Sequence, residues 1–185
     1  MARGNTRQRI QDVALDLFAE QGYEKTSLRE IAERLDVTKA ALYYHFKTKE
    51  DILVGIFEDL TRPMDELITW AQEQPATLET RREMLRRYQR ALRTAAPLYR
   101  FMQENQATVR ELSVGLTFKE RMITLIGLTQ EPDFAVVDKV RCVSAVFTLH
   151  AGTFFMQNVE GDTEEKHEAT LEVALDLLEA AHRAD

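Results

Sequence analysis

The sequence predicts an all-α chain: a small three-helix head over residues 1–49 and a larger helical body over 50–185. Apolar residues recur at helical rather than alternating spacing. The stretches that carry them are separated by short breaks holding Pro, Gly or a capping residue. No strand-like alternation, internal repeat or low-complexity tract interrupts them.

In the first helix, Asn5 to Gly22, the residues Ile10, Val13, Ala14, Leu17 and Phe18 fall at i, i+3, i+4, i+7 and i+8 and give one face to bury. Ser27 followed by Glu30 is a capping box that opens a second helix, whose buried stripe is Leu28, Ile31, Ala32 and Leu35. Asp36 and Val37 make a turn, and the Thr38 hydroxyl caps a third helix. Leu42 and Phe46 face inward there. That leaves Ala40, Tyr43 and Tyr44 on the far side and Lys39 at the exposed entry, the placement of a recognition helix that meets base edges. Small Ala40 allows close approach to a groove. Thr48 can cap the next helix, and this puts Lys49 beside free N–H groups suited to a phosphate.

The stretch Leu42-Tyr43-Tyr44-His45-Phe46-Lys47-Thr48-Lys49, with the Gly22-Tyr23 pair ahead of Thr26 and Ser27, resembles the N-terminal domain of the TetR family of transcriptional repressors. The likeness covers about the first quarter of the chain; the rest is similar only in length and helical character. It implies a helix-turn-helix head that binds a palindromic DNA operator, and a C-terminal domain for effector binding and dimerisation. Base contacts are then expected from Lys39, Ala40, Tyr43 and Tyr44 and phosphate contacts from Thr26, His45 and Lys49, with Thr38 counted in the same DNA-binding set.

Charge agrees with such a division. Residues 1–49 hold nine Lys or Arg against seven Asp or Glu, whereas 50–185 hold 15 against 24. An acidic body behind a mildly basic head orients the head toward a polyanion, and a net charge of −7 argues against indiscriminate coating of nucleic acid. The single Cys142 excludes an intrachain disulfide and multi-cysteine metal sites. Residues Met1 to Arg9 are polar and basic, unlike a signal peptide, so a cytoplasmic protein is expected. Cys142 to Val159 lacks acidic and basic residues, but Ser144, Thr148, His150, Thr153, Gln157 and Asn158 make it a buried helix rather than a membrane span.

Along the body, a helix from Thr48 is expected to kink or restart at Pro63 and to reach Gln74. Thr77 to Ala95 follows, with Arg81, Arg82, Arg86, Arg87, Arg90 and Arg93 forming either a second DNA-facing stripe or a solvated face paired with acidic neighbours. Pro97 suits the first turn of a helix to Leu112, Ser113 caps one ending near Leu128, and Pro132 with Asp133 opens a long one to Val159. Gly161 stops it, and Asp162 with Glu165 opens the last, to Ala184.

In that last helix Leu171, Ala174, Leu178 and Ala181 form an apolar line, and the helix before it is apolar nearly all round. Two such pairs from two chains would form a four-helix bundle, the expected homodimer interface. A small apolar or weakly polar effector is expected among Trp70, Phe101, Met122, Phe147, His150 and Phe154, a set poor in charge. The same residues would also serve as plain core. A regulator controlled by a protein partner, or an activator, is the alternative. An enzyme is not expected: His45, His150, His167 and His182 lie in separate elements, without paired metal spacing, a phosphate loop or a nucleophile elbow, and no cofactor is implied.

Overall fold

The computed structural model describes residues 6–104, 114–156 and 159–183, apart from the side chains of 96–100, 102–104, 114–118 and 153–155. Among the described residues there are eight helices and no strand: α1 (Thr6–Gln21), α2 (Leu28–Arg34), α3 (Lys39–His45), α4 (Lys49–Glu73), α5 (Leu78–Glu104), α6 (Val114–Leu128), α7 (Val136–Phe155) and α8 (Thr163–Ala181).

The chain divides into two compact units. One comprises Met1–Thr61 with Pro97–Gly115, the other Arg62–Ala96 with Leu116–Asp185. The first unit runs past the expected boundary between residues 49 and 50. Ile52, Leu53, Ile56 and Phe57 on the first turns of α4 bury against Ile10, Leu17, Phe18, Ile31, Leu42 and Phe46, and so belong to the head. Phe101 near the end of α5 joins the same core.

Local chemistry sets the head's turns. α1 ends at Gly22, whose φ of +90° is cheap only without a Cβ, and its N–H returns to the Phe18 carbonyl at 3.0 Å. Ser27 accepts from the Glu30 N–H at 3.2 Å while the Glu30 carboxylate accepts from the Ser27 N–H at 2.8 Å, completing the capping box. Asp36 turns the chain at φ +54°, and the Val37 N–H bonds the Ala32 carbonyl.

Both prolines expected to break helices lie inside them. α4 passes unbroken through Pro63 and α5 through Pro97. A proline removes one backbone hydrogen bond, whereas α4 is anchored on both sides of it by buried Ile56, Phe57, Met64 and Leu67, so packing prevails. α7 starts at Val136 behind Ala135, with no side-chain cap, rather than at Asp133. The Asp162 carboxylate caps α8 by accepting from the Glu165 N–H at 2.9 Å. The expected end at Leu112 and cap at Ser113 lie outside the described residues.

The second unit buries Met84, Leu85, Tyr88 and Leu92 of α5 together with Met122 and Leu125 of α6 and Cys142, Ala145, Val146 and Leu149 of α7. α7 and α8 form a tight pair. A Cβ built on Gly152 would lie 2.3 Å from Cγ2 of Thr170, so glycine is what lets the two backbones approach. Ala174, Leu178 and Ala181 are buried within the single chain and Leu171 is half-buried. The line expected to face a partner is thus buried within the single chain. The outward apolar residues are Val136, Val137, Val140 and Phe147 of α7 and Val173 of α8.

Candidate nucleic-acid interface

α3 is a seven-residue helix fixed by its own ends and by one apolar edge. Thr38 Oγ1 accepts from the Ala41 N–H at 3.1 Å, and Leu42 with Phe46 is buried in the head core. The opposite edge holds Lys39, Ala40, Tyr43 and Tyr44, all exposed, with Tyr44 at 81% and Tyr43 at 44%. His45 stands edge-on to Tyr44, ring centroids 5.2 Å apart. Lys47 donates from Nζ to the Tyr43 carbonyl at 2.8 Å, closing the end of α3. Two exposed tyrosines beside a small residue and a lysine form a face with hydroxyl donors and acceptors, apolar ring edges and one positive charge. Such a surface suits base edges in a major groove.

Two of the residues expected on phosphates, Thr26 and Lys49, are engaged within the chain. Thr26 is buried, its hydroxyl turned inward to the Gly22 carbonyl at 2.9 Å and the Leu17 carbonyl at 3.3 Å, because the turn after α1 needs those carbonyls satisfied. Lys49 donates from Nζ to the carbonyls of Tyr23 and Glu24, at 2.5 and 3.4 Å, and lies 4.0 Å from the Tyr23 ring centroid. The start of α4 holds a carboxylate of its own: Asp51 accepts from the N–H groups of Lys47 and Thr48 at 3.0 and 2.9 Å, while Thr48 Oγ1 accepts from the Asp51 N–H. Those bonds, the Thr48 backbone first, hold the Asp51 carboxyl below its ordinary range. The spacing Thr48-x-x-Asp51 is the sequence signal for this second capping box.

Residues expected around an effector do not converge. Phe101 packs on Phe18 and Tyr23 in the head, centroids 5.7 and 6.2 Å away, because the last turns of α5 belong to that unit. Phe147 is 51% exposed on α7, among the outward valines. Trp70 is covered by the Arg87 guanidinium, 3.8 Å from the ring. The Phe154 side chain lies outside the described residues. Met122 and His150 do meet, through Tyr88 of α5. The Tyr88 hydroxyl lies 3.0 Å from His150 Nδ1 and 3.2 Å from Met122 Sδ. Burial pushes the His150 imidazole down to about 4, which keeps it neutral near pH 7.

A separate cavity of about 210 Å³ is lined by Ala71, Gln72, Gln74, Ala76, Thr80, Arg81, Met84 and Leu128. None of the expected pocket residues is among them. Buried Arg81 donates to the carbonyls of Ala76, Leu128 and Gln130 and pairs with Glu131 at 2.6 Å. The other five arginines of the α5 stripe are paired as well: Arg82 with Glu79 and Glu179, Arg86 with Glu79, Arg87 and Arg90 with Glu83, and Arg93 with Glu164. That favours the solvated, neutralised face over a second DNA contact. Cys142 is buried, its thiol donating to the Thr129 carbonyl at 3.4 Å, and burial pushes it up, away from the thiolate form. Among the described residues no group of His, Cys, Asp or Glu could hold a metal, and no helix is long and apolar enough to cross a membrane.

Residues 10–56 match the family model described as bacterial regulatory proteins, tetR family. The transcriptional regulator AcrR of Shigella flexneri is 55% identical over 53 residues, a match that spans 29% of this chain and 25% of that protein. Over nearly the whole chain the fold is that of AmtR from Mycobacterium smegmatis, with a TM-score of 0.72 at 22% identity, covering 100% of this chain and 90% of that one. A regulator of the TetR/AcrR family from Thermobifida fusca is 26% identical, with a TM-score of 0.58, covering 94% and 98% of the two chains. With the Tyr-Tyr-His-Phe stretch at the end of α3 and the head's three-helix packing in place, the head of this chain, residues 10–56, is a DNA-binding domain of the TetR family type.

Proposed function

We propose that this chain is a DNA-binding transcriptional repressor that occupies a palindromic operator as a homodimer and leaves it when a small apolar or weakly polar molecule binds the second unit. One observation carries the reading: α3 is capped by Thr38 and anchored by Leu42 and Phe46, so Lys39, Ala40, Tyr43 and Tyr44 are held together on an exposed face. Seven residues of helix read few base pairs. Two copies spaced by one or more helical turns read a palindrome.

The dimer would form through the outward stripe of α7, Val136, Val140 and Phe147, together with exposed Val173 of α8. Exposed branched and aromatic side chains on one helix edge mark a surface that gains by being covered. The effector would sit against the Tyr88, His150 and Met122 cluster, where a neutral imidazole and a phenol provide polar contacts in apolar surroundings. To move the dimer from 99:1 bound to 1:99, that molecule must prefer the released conformation by about 5.5 kcal/mol.

The test is selection of duplexes from a randomised library by the full-length chain, followed by anisotropy titration of selected and random duplexes at physiological salt. A selected half-site repeated in inverted orientation, bound at least 1000-fold more tightly than random duplex, is expected on the scale of specific readers. Equal binding of both pools would sink the proposal. A metabolite screen for thermal stabilisation and duplex release checks the effector; absence of both would favour control by a protein partner.

A further inference from the structure

The cavity of about 210 Å³ lies where the end of α4, the start of α5 and the end of α6 come together. Its apolar lining comes from Ala71, Ala76, Met84 and Leu128, of which Ala71 and Met84 are buried. The two alanines leave the room that longer side chains would fill. A closed apolar cavity of about 150 Å³ holds benzene, so this one has the size for a single ring carrying a short polar group.

The polar lining selects the chemistry of that group. Arg81 is 5% exposed, and its guanidinium has five N–H donors in a fixed fork. Nε donates to the Leu128 carbonyl at 3.3 Å, and Nη1 to the Ala76 carbonyl at 3.3 Å. Nη2 serves both the Gln130 carbonyl at 3.4 Å and the Glu131 carboxylate at 2.6 Å. The second Nη1 proton has no acceptor among the described residues, and a largely buried donor gains by meeting one. Glu131 already balances the guanidinium, so a ligand carboxylate would meet like charge and a ligand cation would meet Arg81. A neutral oxygen meets neither penalty. The side-chain amides of Gln72 and Gln74, which also line the cavity, offer further donors and acceptors to such a ligand.

We propose that this cavity is a binding site for a small neutral molecule, a single apolar ring bearing a carbonyl or amide oxygen that accepts from the remaining Nη1 proton of Arg81. The site is separate from the Tyr88, His150 and Met122 cluster, none of whose members lines it. It requires neither DNA reading nor an effector at that cluster.

Two methionines make the sites distinguishable: Met84 lines the cavity, whereas Met122 touches the Tyr88 hydroxyl. The experiment uses the full-length chain with ¹³C-labelled methionine methyls, assigned with Met84→Leu and Met122→Leu, and titrates benzamide, benzoate and toluene separately. Benzamide is expected to shift the Met84 methyl saturably with a dissociation constant of about 1 mM, the scale of so small a ligand. Its ring protons should give nuclear Overhauser contacts to the Met84 methyl and none to that of Met122. Toluene, without an oxygen, and benzoate, with a charge, should each bind about fivefold more weakly, the order of one hydrogen bond. Ala71→Leu should abolish the benzamide shift; if that variant fails to fold, the Overhauser contacts decide alone.

An unmoved Met84 methyl at about 10 mM benzamide, tenfold above the expected constant, overturns the site. So does a saturable shift that survives in folded Ala71→Leu. Toluene binding as tightly as benzamide overturns the role given to Arg81, and tighter binding of benzoate overturns the neutral class. Overhauser contacts to Met122 in place of Met84 overturn this site and support an effector at the Tyr88 cluster.

Discussion

Replacing Gly152 by alanine sets helix propensity against packing, and the structure indicates which wins. Alanine is favoured over glycine by ~1 kcal/mol in a helix interior, so on α7 alone the change would stabilise. The new methyl, however, would lie 2.3 Å from Cγ2, 2.6 Å from Oγ1 and 2.9 Å from Cβ of Thr170. Rotation about χ1 of Thr170 exchanges its branches without removing them, and its hydroxyl is tied to the Lys166 carbonyl at 2.6 Å. α7 and α8 must therefore separate by roughly 1 Å, at a cost in the 1–3 kcal/mol range of overpacked cores. The expected net is destabilisation by up to about 2 kcal/mol, read by urea denaturation with circular dichroism at one protein concentration for both proteins. Adding Thr170→Ala should restore only part, since the two Cβ atoms would still crowd. A Gly152→Ala protein more stable than its parent would refute the tight α7–α8 packing.

Leu178→Asp buries a charge inside the chain and should unfold it, while Val140→Glu on the outward stripe should leave the melting curve of the monomer intact and abolish dimers in light scattering. His150 gives a pH signature: the folded group takes up its proton only near pH 4 and the unfolded one near 6.5, so the unfolded chain binds more protons between these values. Stability is then fully present above pH 6.5 and is lost as pH falls, by up to about 3 kcal/mol relative to a His150→Phe protein, measured by denaturant titration at pH 7 and pH 4.5. Thr38→Ala removes the acceptor for the Ala41 N–H and should cost ~1 kcal/mol in chemical denaturation. Tyr44→Ala should change the sequence recovered in a duplex selection more than it changes binding to random duplex.

The head was legible in the sequence because its information is local. Ser27 with Glu30, Thr38 before α3, and Leu42 four residues from Phe46 each state a helix start or a buried edge within a few positions. What escaped depends on partners far along the chain. Leu178 is buried within the single chain, by neighbours that nothing in the sequence around it records. Phe101 sits in a stretch that reads like body, yet it packs on Phe18 and Tyr23, far earlier in the chain. Lys49 matches a motif position associated with phosphate, but the carbonyls that take its ammonium belong to the turn after α1. Gln11 is a similar case. It is a polar residue on the buried edge of α1, where periodicity gave no place for one, and its amide finds Asp59 of α4 at 2.8 Å.

Arg81 joins two connecting segments that are distant in sequence. Its guanidinium bonds Ala76 before α5 and both Leu128 and Gln130 after α6, with Glu131 as counter-charge. Neither connection can open without releasing the same fork, so the two behave as one cooperative unit in native-state exchange, with a single opening free energy. A lysine at this position, with one point of donation in place of a planar fork, would let them open independently.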